Sequence, residues 1–160
     1  MARHIELRRY VTEDLDAVIE VFQRAIREVA SADYNPAQIA AWSMVDRDAW
    51  EPWRLTRPTW VAVNGARVVG FSDLEANGHL DMMFVHPDYQ GMGVARTLLR
   101  QVETAAQAQR LKRIFTEASK TARPFFERHG FVVDAEQVVN KRGERMTNFR
   151  MHKMLAAPEG

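Results

Sequence analysis

Apolar and polar positions change period several times along the chain, and those changes divide it into elements. Over residues 4–9, Ile5 and Leu7 alternate with polar neighbours, the period-two pattern of a half-buried strand. Thr12 is placed to cap a helix that carries Glu13 and Asp14 in its first turn, where the helix dipole favours negative charge. Leu15, Val18, Ile19, Phe22, Ile26 and Val29 follow at helical spacing as one apolar stripe. Asn35-Pro36-Ala37-Gln38 predicts a second helix start, with Asn as cap, Pro in the first position and Gln three residues on, and that helix is expected to run to about residue 45. Residues 46–58 lose the periodicity and are rich in Trp and Pro, so a packed loop is expected there.

Beyond the loop the period returns to two. Residues 60–63 and 67–74 flank Asn64-Gly65, a pair suited to a type I′ turn, and Asn77-Gly78 leads into a third strand over 79–85 that Pro87 ends. Three consecutive antiparallel strands are therefore predicted. A long helix is expected over residues 92–109, burying Val94, Leu98, Leu99, Val102 and Ala105. A short strand at 113–117, a short helix at 124–129 stopped by Gly130, and a hairpin of strands 131–139 and 145–154 turning near Arg142-Gly143 complete the chain. The order β-α-α-β-β-β-α-β-α-β-β predicts an α+β fold with a mixed sheet. No repeat, linker or low-complexity tract interrupts it, so residues 1–160 are expected to form one domain.

Composition removes several classes of function. The 160 residues contain no cysteine, which excludes disulfides, thiolate metal sites and a cysteine nucleophile. A net charge of +1 argues against general nucleic-acid binding. No apolar run approaches the ~18 residues of a membrane span, and residues 1–10 lack the apolar core of a signal peptide. A cytoplasmic protein with neither a nucleic-acid nor a membrane partner is expected. The five histidines show no metal-ligand spacing, so no metal is expected. Charge is uneven, however: residues 1–80 carry nine Lys+Arg against twelve Asp+Glu, and residues 81–160 thirteen against nine. An anionic ligand would favour the second half.

That half contains the most informative segment, residues 85–95, Val-His-Pro-Asp-Tyr-Gln-Gly-Met-Gly-Val-Ala. A strand stops and a turn with two glycines opens a long helix. The first amides of a helix lack intrahelical acceptors and carry the positive end of the dipole, so glycines that let a bulky anion approach would make a phosphate cradle. The same residues would also serve as a plain capped helix start. A Walker loop is excluded because Val94-Ala95 stands where Lys-Ser/Thr is needed, and the dinucleotide fingerprint fails at Arg96.

Gln90, Gly93 and Ala95 form Gln-x-x-Gly-x-Ala, and here the sequence resembles the GNAT superfamily of acyl-CoA-dependent N-acyltransferases. A second block, residues 118–131 (Ala-Ser-Lys-Thr-Ala-Arg-Pro-Phe-Phe-Glu-Arg-His-Gly-Phe), is similar to the family's Asn-x-x-Ala-x-x-Phe-Tyr-x-x-x-Gly-Phe segment. The resemblance covers nearly the whole order of elements. It implies a three-layer α/β/α domain around a mixed, largely antiparallel central sheet, and acetyl-CoA as cofactor with CoA as product. Phe84 and Val85 would offer backbone groups to the pantetheine arm, and Gln90, Gly91, Met92, Gly93, Val94 and Ala95 would hold the pyrophosphate. Ser119, at the family's Asn position, and Phe125 would lie along the arm, while Arg96, Lys120 and Arg123 are candidates for the adenosine phosphates.

Acyl transfer to an amine needs a proton acceptor, because a primary amine is mostly protonated at neutral pH. The resemblance puts a frequent base at the position of His79; Asp81 shares its strand face, and Glu75 is a rival. The family's Tyr donor is replaced by Phe126, leaving Tyr89, His129 and Tyr34 as available donors. Tyr34, Trp42 and Asn148 are candidate contacts to the acceptor, a small-molecule or peptide amine. The implied activity is acetyl transfer directly to that amine in a ternary complex; the alternative is a non-catalytic acyl-CoA-binding or regulatory module. Folds of this kind often pair through their closing strands, so a homodimer is a further expectation.

Overall fold

The apolar faces predicted along the chain meet on the two sides of a twisted, split sheet. The computed structural model describes residues 4–156, so both ends of the expected 1–160 domain lie outside the described residues. In order come β1 (Glu6–Arg9), α1 (Leu15–Glu28), α2 (Pro36–Trp42), α3 (Arg47–Leu55), β2 (Thr59–Asn64), β3 (Arg67–Asp73), β4 (Met83–Val85), α4 (Val94–Ala108), β5 (Arg113–Ser119), α5 (Arg123–Arg128), β6 (Val132–Lys141) and β7 (Glu144–Met154). The strands form a four-stranded sheet β1-β2-β3-β4 and a three-stranded sheet β5-β7-β6, with every ladder antiparallel.

Strand alternation, shifted once by a β-bulge at Val69 of β3, sends side chains to two cores. Trp60, Ala62 and Val69 pack with Val94, Leu98, Leu99 and Val102 of α4, and with Phe126 of α5. Val61, Val63 and Phe71 pack on the other side with Leu15, Val18, Phe22 and Ile26 of α1, Ile39 of α2 and Trp50 of α3. These are the three layers of an α/β/α arrangement, and the α+β class holds. Among the described residues no helix is long and apolar enough to cross a membrane.

The two sheets touch through one parallel bridge, His79 to Phe115, which makes the whole mixed. Leu80 N donates to Phe115 O at 2.9 Å and Phe115 N to Gly78 O at 3.1 Å. Past that point β4 and β5 share no ladder, and a gap opens between them.

Three elements differ from expectation. Thr12 caps nothing: residues 12–14 form a short 3₁₀ turn, and it is the Asp14 carboxylate that accepts Val11 N–H at 2.9 Å and pairs with Arg8 at 2.7 Å. The expected loop at 46–58 contains α3, started by Asp46, whose side chain accepts from the amides of Asp48 and Ala49. Pro52 sits inside this helix, and Trp50 and Arg54, one turn apart, are buried by it. The third strand shrinks to residues 83–85. Asp73 explains that: its Oδ1 accepts the amides of Asp81 and Met82, both at 2.9 Å, taking the donors a β3 ladder would have used. By contrast, the Asn35 start is as read, with Asn35 Oδ1 accepting from Gln38 N and Gln38 Oε1 from Asn35 N, each at 2.8 Å, although α2 ends at Trp42 rather than near residue 45.

Candidate active site

At the end of β4 the chain makes one 3₁₀ turn, Pro87–Tyr89, and then a glycine turn into α4. Gly91 (φ 73°) and Gly93 (φ 79°) both take the left-handed conformation that side chains disfavour. A Cβ built on Gly91 would meet nothing within 4 Å, so the space over the turn is open and the glycine serves the backbone. Gly93 is the N-cap of α4 and no side chain caps the helix. Its first-turn amides therefore face that space with the positive end of the dipole. Gln90 braces the turn by donating from Nε2 to Val85 O at 2.9 Å, and Thr97 Oγ1 donates to Gly93 O at 2.8 Å.

The turn is one end of a cavity of about 770 Å³ that occupies the gap between β4 and β5. All the residues predicted for the cofactor line it: Phe84 and Val85, the run 90–95, Arg96, Ser119 and Phe125. Of the basic residues considered for phosphates only Arg96 is there. Lys120 lies over the Tyr34 ring at 5.3 Å, and Arg123 lies over Phe149 at 4.4 Å and pairs with Glu127. Arg128 takes their place in the lining, together with His129, whose pKa is lowered by burial and by Lys153 and Arg128 nearby. Ala25, Ile26, Val29 and Ala30, at the end of α1 and just beyond, wall the other side. Sequence reading had absorbed Ile26 and Val29 into a core stripe, which is half of what they do.

His79, Asp81 and Glu75 do come together, at the point where the two sheets join. None of the three lines the cavity, whose first residue on that strand is Met83. His79 Nδ1 is 2.7 Å from Glu75 Oε1 and its Nε2 is 2.9 Å from Glu117 Oε1. The Glu117 carboxylate first, then Glu75, push the imidazole pKa up to about 9 against the opposing effect of burial. At neutral pH the ring is an imidazolium held between two carboxylates, with no lone pair to accept a proton. Asp81 has its pKa raised by burial and by the Asp73 charge, with His79, Arg54 and Arg57 pulling the other way. Its carboxylate lies 3.4 Å from Arg57 Nη1 and 4.0 Å from Arg54 Nη2.

Sequence reading missed the residues that organise this cluster. Glu117 shares a strand face with Ser119 two residues on, which is the signal that could have found it. Arg54 and Asp73, both completely buried, pair at 2.9 Å. Arg54 also lies over the rings of Trp50 and Trp53, at 5.6 and 5.1 Å from their centroids. One donor atom each from Glu75, His79 and Asp81 lie within 4.8 Å of one another, a spacing at which a cation could sit. Arg57 Nη1 is already 2.9 Å from Glu75, and the imidazolium supplies a second positive charge, so the protein's own cations neutralise these carboxylates.

The three residues suggested for the acceptor go to different places. Trp42 lines the cavity. The Tyr34 hydroxyl is consumed by structure, donating to Thr147 O at 2.6 Å and accepting from Lys120 N at 2.9 Å, and its ring borders a separate, smaller cavity of about 460 Å³. Asn148 pairs with Ser119 across β5 and β7, and its Oδ1 is buried without a hydrogen-bond partner. Phe126 lines the cavity but is 4% exposed, wedged against Phe125 and Phe131. The Tyr89 hydroxyl is bonded to Asn64 Oδ1 at 3.3 Å.

Comparison with known proteins bears on the family and the fold. The family model of the acetyltransferase (GNAT) domain matches residues 30–153. The chain is 36% identical over 148 residues to the uncharacterized N-acetyltransferase YafP of Escherichia coli strain K12, covering 92% of this chain and 95% of that one. A GCN5-related N-acetyltransferase structure from Rhodopseudomonas palustris superposes with a TM-score of 0.93 at 31% identity, over 97% of this chain and 99% of that one. The PaiA N-acetyltransferase of Thermoplasma acidophilum, in complex with coenzyme A, shares the fold with a TM-score of 0.78 at 19% identity, over 94% and 99% of the two chains.

Proposed function

The chain belongs to the acetyltransferase (GNAT) family, and from that premise we propose that it moves an acetyl group from acetyl-CoA directly to an amine within a ternary complex. The observation that carries this reading is the uncapped α4 start with its two left-handed glycines at the end of a cavity between β4 and β5. Backbone amides of residues 91–96 and the Arg96 guanidinium suit a pyrophosphate, and Arg128 adds a second cation at the rim. The apolar walls given by Phe84, Val85 and Phe125 suit the pantetheine arm. That a related fold is found with coenzyme A supports the same ligand.

The chemistry is balanced without an acyl-enzyme. The amine nitrogen attacks the thioester carbon, the C–N bond forms as the C–S bond breaks, and the nitrogen gives up a proton while CoA leaves as thiolate and is protonated. With no cysteine in the chain, no protein thiol intercepts the acetyl group. We assign the proton-accepting role to Asp81, acting through water because it does not itself line the cavity: His79 is already protonated at pH 7, whereas burial raises the carboxylate's basicity. His79 and Glu75 then hold the cluster's charge and geometry. The acceptor is a small-molecule or peptide amine approaching from the side where Asp81 lies.

The test is thiol release from acetyl-CoA with a panel of amines, antibiotics and peptides; without protein cysteine, every thiol detected comes from CoA. Turnover with one acceptor class is expected. A second reading, a non-catalytic acyl-CoA-binding module, is favoured by one observation: Phe126 stands where the family's Tyr donor would be and has no proton to give. Tight acetyl-CoA binding with no thiol release across the panel would select it. Gly93→Glu is expected to weaken acetyl-CoA binding by about ten- to a hundredfold, since it sets a carboxylate beside the proposed anion site and forces a side chain onto a backbone at φ 79°. Unchanged affinity would overturn the assignment of the turn.

A further inference from the structure

The cavity has two unlike ends. At one end the glycine turn supplies backbone amides and Arg96; away from it Trp42 arrives from α2, which packs on α1, β6 and β7, and joins an apolar wall with Phe84, Ile26, Val29 and Ala30. That wall is braced. Phe84 is held from behind by Phe22 and Phe71, with ring centroids 4.9 and 5.9 Å away. Trp42 meets Phe84 edge-on at 6.3 Å and Tyr34 at 5.7 Å. Tyr34 cannot swing aside, because its hydroxyl is bonded to Thr147 O on β7 and to Lys120 N just past β5. Ile26 is completely buried and Ala30 nearly so. A wall of stiff rings backed by other rings yields little to a longer ligand.

We propose that Trp42 sets the length of acyl chain that the site accepts, holding it to acetyl, and that a smaller side chain at this position admits longer acyl-CoA thioesters. The inference rests on the acyl-CoA reading above. A thioester whose phosphates lie at the glycine turn carries its acyl group toward the other end, and the part that extends past the sulfur is what reaches the aromatic wall. Chain carbons that find room gain about fourfold in affinity each; carbons that meet a braced indole do not.

Calorimetric titration with coenzyme A and with acetyl-, propionyl-, butyryl- and hexanoyl-CoA tests this without knowledge of the acceptor. Wild type is expected to bind coenzyme A and acetyl-CoA comparably, and butyryl- and hexanoyl-CoA at least about tenfold more weakly. Trp42→Ala should keep coenzyme A affinity and level or reverse that series, with Trp42→Leu and Trp42→Phe graded by side-chain volume. Where the alanine variant does not fold, the Leu and Phe variants carry the grading. The inference is overturned if wild type binds all four thioesters equally, or if folded Trp42 variants keep the wild-type series. Failure of wild type to bind coenzyme A or acetyl-CoA at all overturns the acyl-CoA reading instead.

Discussion

His79 shows how the same residue changes meaning between sequence and structure. The family resemblance makes it a candidate base, and the structure surrounds both ring nitrogens with carboxylates. The folded-state pKa of about 9 lies above the usual 6.5, so the proton-linked stabilisation is full below about 6.5 and is lost as pH rises to and through about 9. The thermal midpoint should fall between pH 7 and 9.5, and this fall should be smaller in His79→Gln; an identical pH profile in the two proteins would sink the imidazolium assignment. Asp81→Asn is expected to lower kcat by about 10²–10⁴-fold while leaving acetyl-CoA binding intact, read by steady-state kinetics once an acceptor is found. If kcat is kept, the proton goes elsewhere, to Glu75 or Glu117. The resemblance singles out His79, strand periodicity adds Asp81, and Glu75 stands as a rival; three residues within one short segment stay neighbours. Neither signal supplies Glu117, which arrives from β5 through a bridge that no local pattern announces.

At the scale of elements, what was legible was what is decided locally. The Asn35 capping box depends on four consecutive residues, and it is present as read. Asn35→Ala should cost about 1 kcal/mol in thermal or urea denaturation. The glycine turn and α4 were likewise written in one stretch. The failures have non-local causes. α3 hides in a Trp- and Pro-rich run, because Trp50 and Arg54 are buried by partners elsewhere in the chain: Phe22, Phe71 and Asp73. The third strand was cut short by Asp73, a carboxylate eight and nine residues away from the amides it captures. Gly70 is another long-range constraint. A Cβ there would lie 2.9 Å from Val94 Cγ1 and 3.2 Å from both Leu98 Cδ1 and the Phe84 carbonyl, where β3 passes closest to α4. Gly70→Ala should destabilise by about 1–3 kcal/mol, and, since Val94 and Phe84 both line the cavity, weaken coenzyme A binding as well. A variant as stable as wild type would show that α4 can shift, and that the packing there is looser than these distances imply.

For the molecule as a whole, the cavity exists because two sheets are joined at one place and part beyond it. The join is small: among the described residues it includes the backbone bonds of Leu80 and Phe115, the Thr116 hydroxyl donating to Leu80 O at 2.7 Å, and the contacts of His79 with Glu117 and the Phe115 ring. Residues 78–80 are presented to Phe115 by the turn at 75–79, closed by Glu75 N donating to His79 O at 2.8 Å, and by the capture of the next two amides by Asp73, which is in turn held by fully buried Arg54. The buried pair thus acts on the junction through the backbone. Asp73→Asn keeps an oxygen for the two amides but leaves the buried Arg54 guanidinium only the Asp81 carboxylate, 4.0 Å away, to offset its charge; breaking a buried pair usually costs about 3–5 kcal/mol. Native-state hydrogen exchange separates a general loss of stability from the specific effect. If the pair holds the junction, the amides of Leu80 and Phe115 should lose more protection than those of the β6–β7 hairpin, and acetyl-CoA should restore part of it by binding across the gap. Equal loss at all these amides would mean that Asp73 supports the fold generally, and that the angle between the sheets is set by the two cores alone.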